Sequence, residues 1–546
     1  MLRGSKNMLN KTSLRNFLGK LPLAAELDYA LRQKNHARKD HYNLSRLGKS
    51  LPRAVAQAKP FIEKAPAGKN ILFFATLHYW IEQAAYVSLT LAGLGHKVTL
   101  LTLPYAEWHK EMDKLTQRQR ALHTRDALSP LSSLRYGSGQ AFVQHTSLLD
   151  LRPAAVLPAV LKADVEEISL WDAQYTLMRE EVDLGSAKDR ALYDLRMKRN
   201  SFAALTALAW MQTHKPDVVL IPNGLILEMG VVFRVARYLD IPAITFEFND
   251  QREQIWLAQD DIVMHQNTDD LWRARSSHGL TPAKRQEIAA FEEARSGGRT
   301  YGKGTRSWQD TPAEGAGSIR DRLGLDSRPV VLLATNVLGD SLTLGRNVFA
   351  SSMAEWIART VQYFATRPGV QLVVRVHPGE RLISGPSMAG VVEGAAPGHP
   401  EHIHLIGPRE QTNTYDLMNL ASCGLAYTTT VGLEMAMRGV PVIVAGQTHF
   451  RGRGFTIDPA SWDEYFESLD RLLEAPAGHR LGPEQVEAAW HYAHLFFFEY
   501  PFDFPWRLMH LWKDVAEWPL ARVLSDEGRA VFGRTLGYLA GERIVW

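Results

Sequence analysis

The chain has 546 residues, too many for one hydrophobic core of ordinary size, so two large domains and an extra segment are expected. Its 62 basic and 59 acidic residues give a formal net charge of +3, which offers nothing for nucleic acid as a partner and makes any basic site a local one. The single cysteine, Cys423 in NLASCGLAY, excludes a disulfide framework and a Cys-rich zinc site and reads as a buried thiol.

Residues 1–66 open the chain as a basic helical segment. Its first 50 residues hold eleven Lys and Arg against Glu26, Asp28 and Asp40. The stretch LRNFLGKLPLAAELDYAL has helix-like apolar spacing, which suits either an amphipathic arm on an anionic membrane surface or a helix packed on the body. No apolar run approaches the roughly 18 to 20 residues of a bilayer span, and no signal-peptide pattern stands at the start. The chain is expected in the cytoplasm, with peripheral contact at the inner membrane as its one membrane role.

Residues 67–294 read as an α/β domain. In KNILFFATLHYWIEQAAYVSLTLAGLGHKVTLLTL, Ile71 to Ala75 are continuously apolar, as in a strand covered on both faces, and Gly95 stops the following helix before a strand at Lys97 to Leu103. KPDVVLIPNGLILEMGVVFRVARYLDIPAITFE repeats the pattern, with strands at Val218 to Ile221 and Ala243 to Phe246. Residues 110–200 between them carry polar helix patterns and no sharp motif. Residues 295–328 shift to Gly, Ser, Thr and charge, as an interdomain linker does. Over residues 329–489 the alternation restarts: PVVLLATN, QLVVRV, IHLIG, GLAYT and VPVIVAG are strands separated by helix patterns. The fold class is therefore α/β, with two doubly wound Rossmann-like domains facing across a cleft. Residues 490–546 begin with WHYAHLFFFEYPFDFPWRLMHLW, read as aromatic helices packing back on the N-terminal domain in preference to resting on a membrane.

Ligands of open α/β sheets bind beyond the carboxyl ends of the strands, so the loops there carry the chemistry. In QLVVRVHPGE alternate residues share a strand face, so Arg375 and His377 are expected to converge, with Pro378 holding His377 extended. Two donors there suit a phosphate; the competing reading is a salt-bridged Arg375 and a core His377. In YTTTVGLEMAMRGVPVIV, Thr428, Thr429 and Thr430 place hydroxyls at a helix N-terminus, and Gly432 admits a ligand to the backbone. Glu434 either caps that helix or accepts hydrogen bonds from a ribose. GQTHFRGRGF adds His449, Arg451 and Arg453, as a clamp for a carboxylate or diphosphate or as a solvated basic loop. On the N-terminal side His78 in ATLHYW, and Glu247 and Asp250 in AITFEFND, are the candidate bases for an acceptor hydroxyl. No Asp-x-Asp loop follows an apolar strand, so no metal site is expected and phosphate charge would be met by Arg, His and the helix dipole.

LLATNVLGDSLTLGR, VVRVHPGE, GPREQTNTYDLMNLASCGLAYTTTVGLEMAMRGVPVIVAG and THFRGRGFTIDP, spread over roughly residues 330–500, resemble the bacterial capsule polysaccharide biosynthesis family, which includes Kdo transferases. The His-Pro and Thr-rich elements are also similar to those with which bacterial sialyltransferases hold a CMP-sugar. The resemblance implies GT-B architecture, with the acceptor on the N-terminal domain and a nucleotide-sugar donor on the C-terminal one. It implies that Arg375 and His377 contact the donor phosphate and that Thr428, Thr429 and Thr430 bind it from the helix end. Glu434 would contact the ribose, and the loop Gly407, Arg409, Gln411 would lie against the base. The activity implied is a metal-independent, inverting glycosyltransferase, CMP-sugar favoured, with a saccharide or glycolipid acceptor and no cofactor besides the donor. A nucleotide-sugar epimerase, a polyol-phosphate transferase and a non-enzymatic capsule export factor are the alternatives.

Overall fold

A computed structural model describes residues 4–33, 41–134, 141–304, 311–383 and 385–546. Arg3, Lys34, Arg38 and Lys39 of the basic segment, and 305–310 of the expected linker, lie outside the described residues. Twelve strands are named in chain order: β1 Asn70–Thr76, β2 Lys97–Leu103, β3 Val143–Ser147, β4 Val218–Pro222, β5 Ala243–Phe248, β6 Gln254–Gln259, β7 Val330–Ala334, β8 Gln371–Arg375, β9 Ile403–Ile406, β10 Cys423–Ala426, β11 Val442–Val444 and β12 Phe502–Asp503. They form two sheets, of order β12-β6-β5-β4-β1-β2-β3 and β11-β10-β7-β8-β9.

The expected α/β class with two sheets built on parallel strands holds. In β1 every residue after Asn70 is buried, because helices cover both faces of a parallel sheet. Gly95, after the first crossover helix His78–Gly93, has φ +98°, and a Cβ there would stand 1.9 Å from the Pro66 carbonyl oxygen, so only glycine fits this turn. The first sheet also contains what the sequence pattern hid. β3 is a short edge strand, VQHTS, too polar to show an apolar run. β6 runs antiparallel to β5, and β12, from the far end of the chain, pairs antiparallel with β6.

Alternation within the second sheet divides its core. Val331, Leu333, Leu372 and Val374 pack with Trp356, Phe364 and Tyr465 on one face. Val330, Leu332 and Val373 join the cluster that continues into the rest of the molecule. Tyr500, Phe502, Phe504 and Trp506 of the aromatic stretch are buried. The helix Pro483–His494 lies between the helices Pro282–Ser296 and Val431–Met437 and so touches both halves of the chain.

Several polar contacts hold the two sheets face to face. The Glu180 carboxylate accepts the Met353 and Ala354 N–H groups, 2.8 Å each, at the start of helix Met353–Ala365, where orphan donors need a partner. Arg346 donates to the Met264 carbonyl at 2.6 Å, and the Thr268 hydroxyl donates to the His449 carbonyl at 3.0 Å. Arg453 pairs with Asp269 at 2.5 Å.

Candidate functional site

Between the sheets lies a cavity of about 610 Å³. The second sheet contributes the loops after four parallel strands: Asn336, Asp340 and Arg346 after β7, His377 and Gly379 after β8, Thr428, Thr429 and Thr430 after β10, and Gln447, Thr448 and His449 after β11. Since β7, β8, β10 and β11 run parallel, all these loops lie at one carboxyl edge, where open α/β sheets bind ligands. The facing wall includes Trp108, Tyr175, Asn249, Asp250, Gln266 and Arg295. A second cavity, about 880 Å³, lies under the first two helices; there Arg118, Arg125 and Lys198 are paired with Glu26, Asp150 and Glu111. Three of its cations thus have carboxylate partners, whereas the interdomain cavity contains buried polar atoms without partners.

His377 caps the short helix Pro378–Leu382. Its Nδ1 accepts the Gly379 N–H at 3.0 Å, which assigns the proton of the neutral ring to Nε2. Its own N–H donates to the Thr335 hydroxyl at 3.0 Å, fixing the backbone where the strand ends. Thr428 donates its N–H to Asn336 Oδ1 at 3.1 Å, while its Oγ1 is buried without a hydrogen-bond partner. Thr429 Oγ1 accepts only a long bond, 3.4 Å, from Val431, and Thr430 makes no side-chain cap. The helix that follows spans seven residues, so the hydroxyls, more than a macrodipole, are what this end offers.

His449 stacks on Phe496 with ring centroids 3.6 Å apart, and its Nδ1 lies 3.0 Å from the Tyr492 hydroxyl. Its Nε2 and the neighbouring Thr448 Oγ1 are buried without partners. Burial first, and then Arg346 and Arg453, hold this imidazole well below its usual pKa, so it is neutral. Burial likewise lowers Arg346 to about 10. Two carboxylates line the cavity, Asp250 from the first domain and Asp340 from the second.

Other expected site residues are placed elsewhere. Arg375 does not converge with His377 on the cavity. It is 3% exposed and donates to the carbonyls of Gly407, 2.7 Å, and Glu410, 3.4 Å, because the β8 edge carries it toward the loop after β9. Gly407 is tied to Glu410 by a bond from its N–H, and Arg409 and Gln411 are exposed and do not line the cavity. Glu434 is 2% exposed and paired with Arg295 at 3.1 Å, while Arg295 also donates to the Tyr415 hydroxyl at 3.0 Å. Against burial, which lowers it, Glu434 and Tyr415 hold the Arg295 guanidinium above its ordinary range. Gly432 makes room for neighbours and not for a ligand: a Cβ would come within 3.1 Å of Ala426 and Phe450. Arg451 braces its own loop through the carbonyls of Val444 and Pro459, and Arg453 serves the domain contact with Thr268 and Asp269.

On the first domain His78 starts the helix after β1, against Tyr79 and Tyr42, away from the cavity lining. Glu247 is also absent from the lining; it accepts from Asn223 at 2.9 Å, and burial pushes it up to about 7. Among the four expected catalytic residues, only His377 and Asp250 line the cavity. Sequence reasoning passed over Asn336, Asp340 and Arg346, although the loop after an apolar strand such as β7 was the signal that located His377. Among the described residues, no group of three or more His, Cys, Asp or Glu side chains could hold a metal ion.

No family model matches the chain, and no curated protein matches it. Solved structures similar to it include Thermosulfurimonas dismutans KpsC, beta Kdo 2,4 transferase, at 15% identity and TM-score 0.32, covering 50% of this chain and 78% of that one. A putative UDP-N-acetylglucosamine 2-epimerase from Listeria monocytogenes matches at 12% identity and TM-score 0.26, over 78% of this chain and 91% of the other. The Streptomyces sp. SF2575 glycosyltransferase SsfS6, complexed with thymidine diphosphate, matches at 13% identity and TM-score 0.20, over 84% of this chain and 98% of the other. Similarities of this size say nothing by themselves about what this chain binds; the two-sheet fold and the cavity carry the functional reading.

Proposed function

We propose that the chain is a glycosyltransferase that uses a nucleotide-sugar donor, CMP-sugar favoured, to extend a bacterial surface or capsular polysaccharide or a glycolipid in the cytoplasm. The observation that carries this is the interdomain cavity, with hydroxyls at Thr428 and Thr448 and an imidazole nitrogen at His449 that are buried without partners at the sheet's carboxyl edge. Buried polar groups left open at such an edge favour a polar ligand over an apolar one.

In this reading Thr428, Thr429, Thr430 and His377 hold the donor phosphate. As the bond from the anomeric carbon to the phosphate oxygen breaks, negative charge gathers on the departing nucleoside phosphate, and His377 Nε2–H donates to it. A carboxylate across the cavity takes the acceptor hydroxyl's proton while its oxygen forms the new bond. Asp250 and Asp340 are the acids that line the cavity, and attack from the side opposite the departing phosphate gives inversion. A single phosphate suits the site better than a diphosphate. Arg375 and Arg451 are committed to backbone carbonyls, and Arg295 to Glu434, which leaves Arg346 as the lining arginine without a carboxylate partner among the described residues.

The test is release of nucleoside phosphate from CMP-, UDP- and GDP-sugars, measured with and without oligosaccharide acceptors and with EDTA present. The expected result is release from a CMP-sugar that requires the acceptor and survives EDTA. Interconversion of the nucleotide sugar without any acceptor would make the protein an epimerase, and transfer of a polyol phosphate would make it a transferase of another kind. No turnover with any donor would overturn the proposal.

A further inference from the structure

The first two helices present their faces the wrong way round for a surface in water. Helices Gly4–Leu18 and Ala24–Gln33 pack on helix Lys114–Leu128 through the buried Ala25 and Tyr29 and through polar side chains. Arg15 pairs with Asp113 at 3.1 Å and donates to the Thr116 hydroxyl at 2.7 Å. Glu26 receives two bonds from Arg118, 2.7 Å each, and Asp28 accepts from Gln119. Thr12, Asn16 and Lys20, spaced four apart, line the cavity beneath. The opposite face is apolar and faces outward: Leu14, Phe17, Leu21, Leu23, Leu27 and Leu31 are between 38% and 76% exposed. Leu27 and Leu31 are spaced four apart in the second helix and therefore share one face of it.

Elsewhere among the described residues, large exposed apolar side chains are scattered singly or in pairs; this cluster of six falls within 18 residues. Contiguous apolar exposure of this kind marks an interaction surface. Its surroundings are basic. Lys11 on the first helix is exposed, and two of the acids in the first 50 residues, Glu26 and Asp28, are turned toward the body, where they meet Arg118 and Gln119. Eleven basic against three acidic residues give those 50 residues a net +8 in a chain whose total is +3. Among the described residues no helix is long and apolar enough to cross a membrane.

We infer that the paired helices Gly4–Leu18 and Ala24–Gln33 dock the protein on an anionic membrane surface, with Phe17, Leu27 and Leu31 entering the interface and lysines meeting the lipid phosphates. The geometry matches an interfacial amphipathic element, whose affinity combines buried apolar area with attraction to anionic headgroups. This inference does not rest on the catalytic reading.

The experiment is co-sedimentation of the full chain with vesicles of phosphatidylcholine alone and of phosphatidylcholine with phosphatidylglycerol, with light scattering to record the mass in solution. The protein is expected on the anionic vesicles. The combined variant Phe17→Ser, Leu27→Ser, Leu31→Ser should lose at least about tenfold in vesicle affinity. Its melting temperature should not change, because these exposed side chains support no core. Lys11→Ser should weaken binding by roughly fivefold and reduce its salt dependence. The inference is overturned if the parent protein ignores both vesicle types, if the triple variant binds like the parent, or if binding is equal with and without the anionic lipid. It is also overturned if the parent is a dimer that the triple variant splits, since the face then belongs to a second copy.

Discussion

Two groups of polar residues stand near the carboxyl edge of the second sheet, and they have opposite fates. On one side Arg375 and Glu434 are charged, buried and off the cavity lining: Arg375 donates to two carbonyls, and Glu434 pairs with Arg295, which reaches it from the facing wall. On the other side Thr428, Thr429, Thr430, His377 and His449 line the cavity between the sheets. The difference teaches that formal charge near a strand end does not locate a binding site. Position on the cavity wall does, because a buried charge must be neutralised locally whereas a hydroxyl on the wall is within reach of a ligand.

The comparison breaks first, and most visibly, at the filled side. Arg295→Ala removes the charged partner of the buried Glu434, and removing one partner of a buried pair typically costs about 3 to 5 kcal/mol. Urea unfolding should register that loss; a variant that keeps its stability but loses activity would move Arg295 to the open side. His377→Ala makes the reverse prediction. Losing one donor to the departing phosphate should lower kcat about 10²- to 10³-fold with little change in donor KM, and the melting temperature should hold. Arg375→Ala should instead lower the melting temperature through its two carbonyl bonds, and an equal fall in kcat with an intact fold would erase the contrast between these neighbours.

The first domain has its own filled group in Glu247, raised to about 7 by burial, with Asn223 and the Phe248 N–H opposing the shift. Folded protein therefore binds this proton more tightly than the unfolded chain does. Its contribution to stability is fully present below the ordinary carboxyl pKa of 4.5 and is lost as the pH rises through about 7. Glu247→Gln, neutral throughout, should remove that slope and be relatively more stable at pH 8 by up to roughly 3 kcal/mol. Parallel stability curves for the parent and the variant between pH 4 and pH 8 would show Glu247 to be ionised at no cost.

The amino-acid pattern made the second sheet legible because its strands are continuous apolar runs closed by Gly and Pro, so the His377 and Thr428 loops could be put at one edge before any coordinates. It did not make partners legible. Arg295 and Glu434 lie far apart in the chain, and their pairing is decided by helix Pro483–His494, which packs against both helix Pro282–Ser296 and helix Val431–Met437. The alternation rule put Arg375 and His377 on one face, but β8 ends at Arg375 and the chain turns at His377 into a short helix, so the two side chains part. β3 escaped notice because a polar edge strand shows no apolar run, β6 because its apolar stretch is short and bounded by Gln, and Asp340 and Arg346 because their loop contains no residue pattern as sharp as His-Pro. The amphipathic segment at the start was visible as spacing, but which face turned outward depended on Arg118 and Asp113, some 90 residues away.

The most direct test of the open side is nucleotide binding itself. Thermal melting of the full chain with CMP, UDP, CDP and GDP should show a rise in melting temperature, largest for CMP, since a ligand at 100 times its dissociation constant stabilises the folded state by about 2.7 kcal/mol. The double variant Thr429→Ala, Thr430→Ala should fold normally and bind more weakly, each lost hydrogen bond to a charged group being worth about 1.5 to 3 kcal/mol. If no nucleotide raises the melting temperature, or if the double variant binds as tightly as the parent protein, the open edge of the second sheet is not a phosphate site.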